Sequence, residues 1–435
     1  MKDKWRFCMK NIGHFIKEER IRQNLKQSFL AKGICSISYL SKIENHDIQA
    51  SDEVISLLLK KLNKDIDRIR ILSHEEEKIL KEELLEIYEV ITINKNQIFA
   101  IEKIKSIEKK FSSILAGQNL IIYKNLVVLR LFLSLGDKEN CEKYIDKILK
   151  SEYKLDEFQQ YLFFKLKAIF FYQYQNKKMS LYYIEAIDKN YILSPIEEAD
   201  FNYVSGLIYL VNNQIIDAIE KLNLSAEYFS KNFHMKRAVE CYISIGIAYK
   251  KANLIQKSEN NYLLAMKIVN ELKLNEFKGI IYHNIGSLYS LKGDSKRAID
   301  YYRKSIENKQ DNSEKLVTVL YILKELIKHK STETEQKYWI AFGEKICDTN
   351  KLFQCEYENH FSIFKELLEN RLSEKTIKKS LNFFKEKQDY EHLSYYNNIF
   401  GEYFFNKGRY KIAANHYKNA YFYLGGNKFE RVGNH

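Results

Sequence analysis

The chain has 435 residues, too many for one ordinary compact domain, so several domains or a repeat array are expected. A single proline, Pro195, and only 15 glycines stand among abundant Leu, Ile, Lys and Glu, which argues for an almost all-helical protein. The formal net charge of +13 points weakly to an anionic partner, and residues 1–70 carry +6 of it, with 15 Lys and Arg against 9 Asp and Glu.

Residues 12–45, IGHFIKEERIRQNLKQSFLAKGICSISYLSKIEN, hold two short helical patterns that meet at Lys32-Gly33-Ile34-Cys35. In the first helix, Ile12, Phe15, Ile16, Glu19 and Arg20 keep a helical period, with the apolar members facing a small core. The second begins near Lys26-Gln27 and buries Leu30 and Ala31, where a small residue lets helices cross closely. After the turn, Ser36 opens a helix that points Ile34, Leu40 and Ile43 inward. Ile37, Ser38, Ser41 and Lys42 are left on its other side. Leu57, Leu58, Leu59 and Leu62 are expected to close the domain. This is the sequence form of a helix-turn-helix, whose second helix lies in the major groove of DNA.

The run from Gly33 to Asn45 resembles the Cro and phage-repressor class of helix-turn-helix. The resemblance implies that Gln27 binds a phosphate and that Ile37, Ser38 and Lys42 reach bases. Lys42 would donate to guanine O6 and N7, Ser38 would bond either way, and Ile37 would touch a thymine methyl. Ser36, Ser41 and Asn45 complete the candidate DNA-binding set. Glu44 would hold the domain together, and His46 stands where the class often has Gly, so the exit turn is expected to differ.

Further on, Ser73 with Glu76 three residues later has capping-box spacing. Ile79, Leu80, Leu84, Leu85, Ile87 and Tyr88 form an apolar stripe, read as a linker helix or as the first helix of a C-terminal array. From about residue 118 a repeat emerges. Its clearest copies are 242–266 and 282–306, where Gly246 and Gly286 are followed three residues later by Tyr249 and Tyr289, then by small–aromatic–small sets Ser258, Tyr262, Ala265 and Ala298, Tyr302, Ser305. Gly206 and Gly401 open copies at the same offsets, and weaker ones centre on Ala168 and Leu129, a spacing close to 40 residues. The stretch 310–390 reads as paired helices without a clear register.

This pattern resembles the tetratricopeptide repeat, whose helix pairs use small residues at the crossing and an aromatic plug. The expected fold is all-α: an N-terminal helix-turn-helix domain followed by a right-handed superhelix of tetratricopeptide-like helix pairs. The boundaries read as 1–68 for the DNA-binding domain, 69–95 for the linker helix and 96–435 for the repeats. In this register Arg130, Lys165, Tyr172, Tyr203, Lys250, His283, Asn284 and Asn398 look into the concave face. Asn can pair with both N–H and C=O of an extended peptide, and Lys or Arg can take its carboxylate.

The two halves together resemble the RRNPP family of Gram-positive quorum-sensing regulators. The resemblance implies a cytoplasmic homodimer that binds operator DNA and a short imported signalling peptide, the peptide shifting the population between two array shapes. Three rivals remain open at this point: an array that docks a protein such as a response regulator, a ligand-independent repressor whose repeats only dimerise it, and an enzyme. The last has no phosphate loop, metal-ligand cluster or nucleophile motif to stand on, and no cofactor or metal is expected. The six cysteines (Cys8, Cys35, Cys141, Cys241, Cys347, Cys355) show no CxxC pair and read as reduced, mostly packed thiols. The N-terminus lacks the apolar stretch of a signal peptide, and no run is expected to reach the ~18 apolar residues of a membrane span.

Overall fold

The computed structural model describes residues 12–424 apart from 14, 18, 22, 46, 65–69, 95, 113, 151–154, 188–192, 330–331 and 350–353. They divide into two compact units, one ending at Ala252 and the other beginning at Asn253. Regular structure among them is helical except for one short parallel pairing of β1 (Arg70–Ile71) with β2 (Ile114–Leu115).

The first unit opens with α1, helical at 12–13, 15–17 and 19–21, followed by α2 (Gln27–Ala31), α3 (Ile37–Glu44) and α4 (Asp52–Lys61). Ile16, Leu30, Leu40, Ile43, Leu58, Leu59 and Leu62 centre their shared core, with Ile34 half-buried at its rim. Gly33 sits at φ +81°, a left-handed turn that suits a residue without Cβ and sends the chain from α2 into α3. Ser36 then caps α3, its hydroxyl accepting from Tyr39 N at 3.0 Å. A close crossing falls at Gly13, where a Cβ would lie 2.0 Å from the Ile43 carbonyl oxygen. Leu57 does not close the domain. It is 49% exposed, because the helical period that buries Ile55, Leu58, Leu59 and Leu62 turns it outward.

Next comes α5 (His74–Asn94), which starts on the expected capping box: Ser73 N donates to Glu76 Oε2 at 2.7 Å and Glu76 N to Ser73 Oγ at 3.3 Å. Leu80, Leu84, Tyr88 and Ile91 of α5 enter one core with α6 (Gln97–Phe111), α7 (Gln118–Leu135), α8 (Lys138–Leu149), α9 (Glu157–Gln173) and α10 (Lys177–Glu185), while Ile79 is exposed. α11 (Pro195–Val211), α12 (Ile215–Lys231) and α13 (Met235–Lys251) complete the unit. Pro195 takes the first turn of α11 behind the Ser194 cap, where a missing N–H does no harm. By length and a mean hydropathy of 1.2, α7 reaches what a membrane span needs, contrary to the expectation for this sequence. Yet 67% of it is buried inside the unit, the mark of a core helix.

The second unit runs through α14 (Ile255–Glu271), α15 (Lys278–Leu291), α16 (Ser295–Asn308), α17 (Asn312–Lys328), α18 (Glu333–Thr349), α19 (Gln354–Leu368), α20 (Glu374–Glu386), α21 (Tyr390–Asn406) and α22 (Tyr410–Leu424). The stretch without a readable register is thus two further helix pairs. Small-residue crossings occur where the repeat placed them: a Cβ would lie 2.6 Å from Leu222 Cγ at Gly206, 2.7 Å from the Tyr302 ring at Gly286 and 2.7 Å from the Tyr417 ring at Gly401. Cys35 is half-buried and Cys141, Cys241 and Cys347 are buried, all as free thiols. Burial pushes the Cys141 thiol up to about 12 and Cys347 up to about 11, so both stay protonated. Cys8, His46 and the Cys355 side chain lie outside the described residues.

Candidate functional site

In the reader, α3 turns its candidate residues to solvent. Ile37 is 52% exposed, Ser36, Ser38 and Lys42 are exposed, and Ser41 is half-buried. Beneath them Glu44, 1% exposed, takes a fork from Arg20: Nε to Oε1 at 2.6 Å and Nη2 to Oε2 at 2.8 Å. A third Arg20 bond, Nη1 to Leu25 O at 2.8 Å, ties the fork to the α1–α2 turn. Such a bidentate pair fixes α1 against α3 and sets the tilt of the exposed face. Gln27 donates from Nε2 to the same Glu44 carboxylate at 2.8 Å, which holds its amide at the start of α2. Asn45 is half-buried and accepts from Lys17 Nζ at 2.7 Å. Glu44 therefore does hold the domain together, and six of the seven candidates share one side of α3 or its ends.

The candidates for the repeat groove do not behave alike. Three in the first unit are interior: Lys165 is 0% exposed, Arg130 5% and Tyr203 8%. Lys165 Nζ donates to Asp200 Oδ2 at 2.8 Å and also to Glu197. Arg237, from α13, donates to Asp200 Oδ1 at 2.7 Å and to Glu240, with its guanidinium 4.3 Å from the Tyr203 ring centre. Tyr161 OH completes the set with a 2.8 Å bond to Glu197. Over this network lies Tyr88 of α5, whose ring centre is 5.2 Å from Lys165 Nζ.

Burial opposes every charge here, and pairing decides the outcome. Burial works against the Lys165 ammonium, but Asp200 and then Glu197 outweigh it and hold its pKa above the usual lysine value. Burial likewise opposes the Asp200 carboxylate, yet Lys165, Arg237 and Arg130 together hold it well below the usual range. For Glu197 burial wins, and its carboxyl is raised. A carboxylate ligand therefore has no open cation to meet at Lys165 in this conformation. The Nε groups of Arg130 and Arg237 are nevertheless buried without a hydrogen-bond partner among the described residues. Tyr172 and Lys250 remain half-buried.

In the second unit, His283 shares Nδ1 with Thr318 Oγ1 at 3.1 Å and stands edge-on to Tyr321, ring centres 4.9 Å apart. Its neighbour Asn284, 6% exposed, donates back to Ile280 O at 2.9 Å on its own helix. That bond uses one N–H of the amide. Asn398 is exposed on α21. Reading along the sequence missed Lys324, which contacts His392 Nε2 at 3.3 Å between α17 and α21. Among the described residues no group of three or more His, Cys, Asp or Glu could hold a metal ion.

Comparison with known proteins agrees with this architecture. The helix-turn-helix family matches residues 16–69 and the tetratricopeptide repeat family residues 280–312. The transcriptional activator NprA of Geobacillus stearothermophilus is 28% identical over 410 residues, covering 91% of this chain and 98% of that protein. A Rap protein complexed with competence and sporulation factor superposes with a TM-score of 0.67 at 15% identity, over 81% of this chain and 98% of its own. NprR in complex with its cognate peptide NprX superposes with a TM-score of 0.58 at 20% identity, over 80% and 99%. The two solved structures show that the fold is shared, and the sequence match runs over nearly the whole of both chains. The sequence relative NprA is itself a transcriptional activator.

Proposed function

We propose that this chain is a regulator of the RRNPP kind, which binds operator DNA through α3 and is controlled by a short signalling peptide held by its repeats. The observation that carries the reading is the exposed set Ile37, Ser38 and Lys42 on a capped helix locked to α1 by Arg20 and Glu44. NprR takes a cognate peptide and shares this fold, which supports a peptide here. Gln27, Ser36, Ser41 and Asn45 would serve phosphate contacts and orientation, while Tyr172, Lys250, His283 and Asn398 remain the groove candidates with surface to offer. The division at 1–68, 69–95 and 96–435, the homodimer and a cytoplasmic site of action belong to the same proposal. Peptide binding needs only different affinity for two array conformations to change how paired readers meet their half-sites.

The double variant Lys42→Ala with Ser38→Ala tests the reader. Each good base contact contributes about 1–3 kcal/mol, so operator affinity should fall by roughly a hundredfold or more, with circular dichroism and oligomeric state unchanged. Sequence-specific binding retained by that variant would overturn α3 as the recognition helix. Genome-wide occupancy with and without spent culture medium tests the peptide: sites that ignore the medium and every peptide fraction from it count against peptide control.

A protein dock is the second reading. Its support is a cleft of about 540 Å³ lined by Arg303, Ile306, Tyr338, Trp339 and Phe342 between α16 and α18, where Tyr338 is 58% exposed.

A further inference from the structure

Lys324 is a half-buried ammonium with no carboxylate partner among the described residues. Its one polar contact there is His392 Nε2 at 3.3 Å, and its Nζ lies 4.5 Å from the ring centre of Tyr395 and 5.1 Å from that of Tyr321. The imidazole behind it is held by Asp389, with His392 Nδ1 2.6 Å from Oδ2 while Oδ1 accepts from His392 N at 3.1 Å. Both Asp389 oxygens are thus engaged elsewhere. With Nδ1–H donating to Asp389, Nε2 presents a lone pair to the Lys324 ammonium. His360 packs edge-on against His392, ring centres 4.6 Å apart, and shares a hydrogen bond with Tyr396 OH.

An ammonium has three donors, and one of them is used here. Two aromatic faces are attractive to a cation yet supply neither a counter-charge nor a hydrogen-bond acceptor of normal strength. Burial accordingly lowers the Lys324 pKa from the usual lysine value, although Glu391 and Asp389 pull the other way. Lys165 shows the contrasting arrangement, a fully buried ammonium with two carboxylates in direct contact. Lys324 has the burial without the carboxylates, which leaves the counter-charge to come from outside.

We propose that Lys324, backed by His392 and flanked by Tyr321 and Tyr395, is the subsite that takes a carboxylate of the bound peptide. The inference rests on the peptide reading above and refines it: the anion is met in the second unit, at a residue outside the groove set read from the sequence. A peptide C-terminus and an acidic side chain present the same carboxylate chemistry to Lys324. Two N–H donors remain on the ammonium to meet a carboxylate.

The test uses the full-length protein and a pool of random heptapeptides with free C-termini. Peptides retained through gel filtration are identified by mass spectrometry, and the tightest is resynthesised with each carboxylate amidated in turn, which separates the two sources. One amidation should weaken binding to the wild type at least tenfold and leave binding to Lys324→Met unchanged. Lys324→Gln, which keeps a donor for His392 without the charge, repeats the measurement if the Met variant folds poorly. Equal affinity of wild type and variant for the free-acid peptide would overturn the carboxylate subsite while the peptide reading stands. A wild type that retains no peptide at all would overturn both.

Discussion

Lys165 in the first unit and Lys324 in the second are treated in opposite ways. Lys165 is 0% exposed and saturated by Glu197 and Asp200, with Arg237 balancing the second carboxylate. Lys324 is half-buried, meets an imidazole and two rings, and has no ion pair among the described residues. A buried charge without its partner is expensive, whereas a paired network can break even. The first arrangement therefore specifies a structure. The second leaves an interaction unmade, which is what a binding surface requires.

The sharpest way to break that comparison is to remove a carboxylate from the first unit. Asp200→Ala strips Lys165 and Arg237 of a shared partner in the interior, and breaking a buried pair costs about 3–5 kcal/mol. Hydrogen exchange should then accelerate across α9, α11 and α13, with a fall in the unfolding midpoint. Exchange rates unchanged in those helices would mean that the network is decoration and that the contrast with Lys324 has no energetic content.

Acidification should separate the units next. Asp200 has a lowered folded-state pKa, so its contribution is present above the unfolded carboxylate value of about 3.9 and is lost only as pH falls through the lower folded value. Glu197 has a raised one, so protonating it on mild acidification favours the first unit. In the second unit His360 and His416 are both lowered, by burial first, and for His360 by His392 and Lys324 as well. Their contribution is present above the unfolded histidine value of about 6.5 and is lost as pH falls, because the unfolded chain takes up protons that the folded one refuses. Between about pH 7.5 and 5.5 the second unit should lose up to about 1.4 kcal/mol per pH unit for each such proton, while the first holds. Exchange measured helix by helix at the two pH values checks it. Equal losses in α9 and α19 would refute the assignment.

How far the sequence foretold all this depends on the range of the interaction. Local signals read well: the Gly33 turn, the Ser36 cap, the box at Ser73 and Glu76, and the crossings at Gly206, Gly286 and Gly401. What failed is contact between helices. Lys165 looked like a groove residue because its position in the repeat faces inward, and only the structure brings Glu197 and Asp200, 32 and 35 residues away, to its Nζ. A usable signal was there, since Lys165, Asp200 and Arg237 carry alternating charges at nearly one repeat spacing. Gly13 was missed for a similar reason: its neighbour across the crossing is the backbone of Ile43, and no side-chain pattern announces a carbonyl. Asn284 also makes a bond that no repeat position announces, one N–H of its amide donating to Ile280 on its own helix.

The smallest effect concerns the turns, where both units solve one geometric problem with different residues. The chain leaves α7 at Gly136 with φ +69°, α9 at Gln175 with φ +60°, α11 at Asn213 with φ +61° and α15 at Gly293 with φ +79°. These are left-handed conformations, easy for Gly, tolerated by Asn and strained by about 1–2 kcal/mol for a residue such as Gln. Gln175→Gly removes that strain but gives the unfolded chain more freedom, so the net gain should be below about 1 kcal/mol. Gly293→Gln in the second unit should cost a similar amount with the sign reversed, since no neighbour lies within 4 Å of the position a Cβ would take and only the backbone conformation is at issue. Thermal unfolding of the two variants and their combination gives the comparison directly. Opposite shifts that cancel in the double variant would show that the turns are equivalent and independent, and that the difference between the units lies in their charges and not in their backbone.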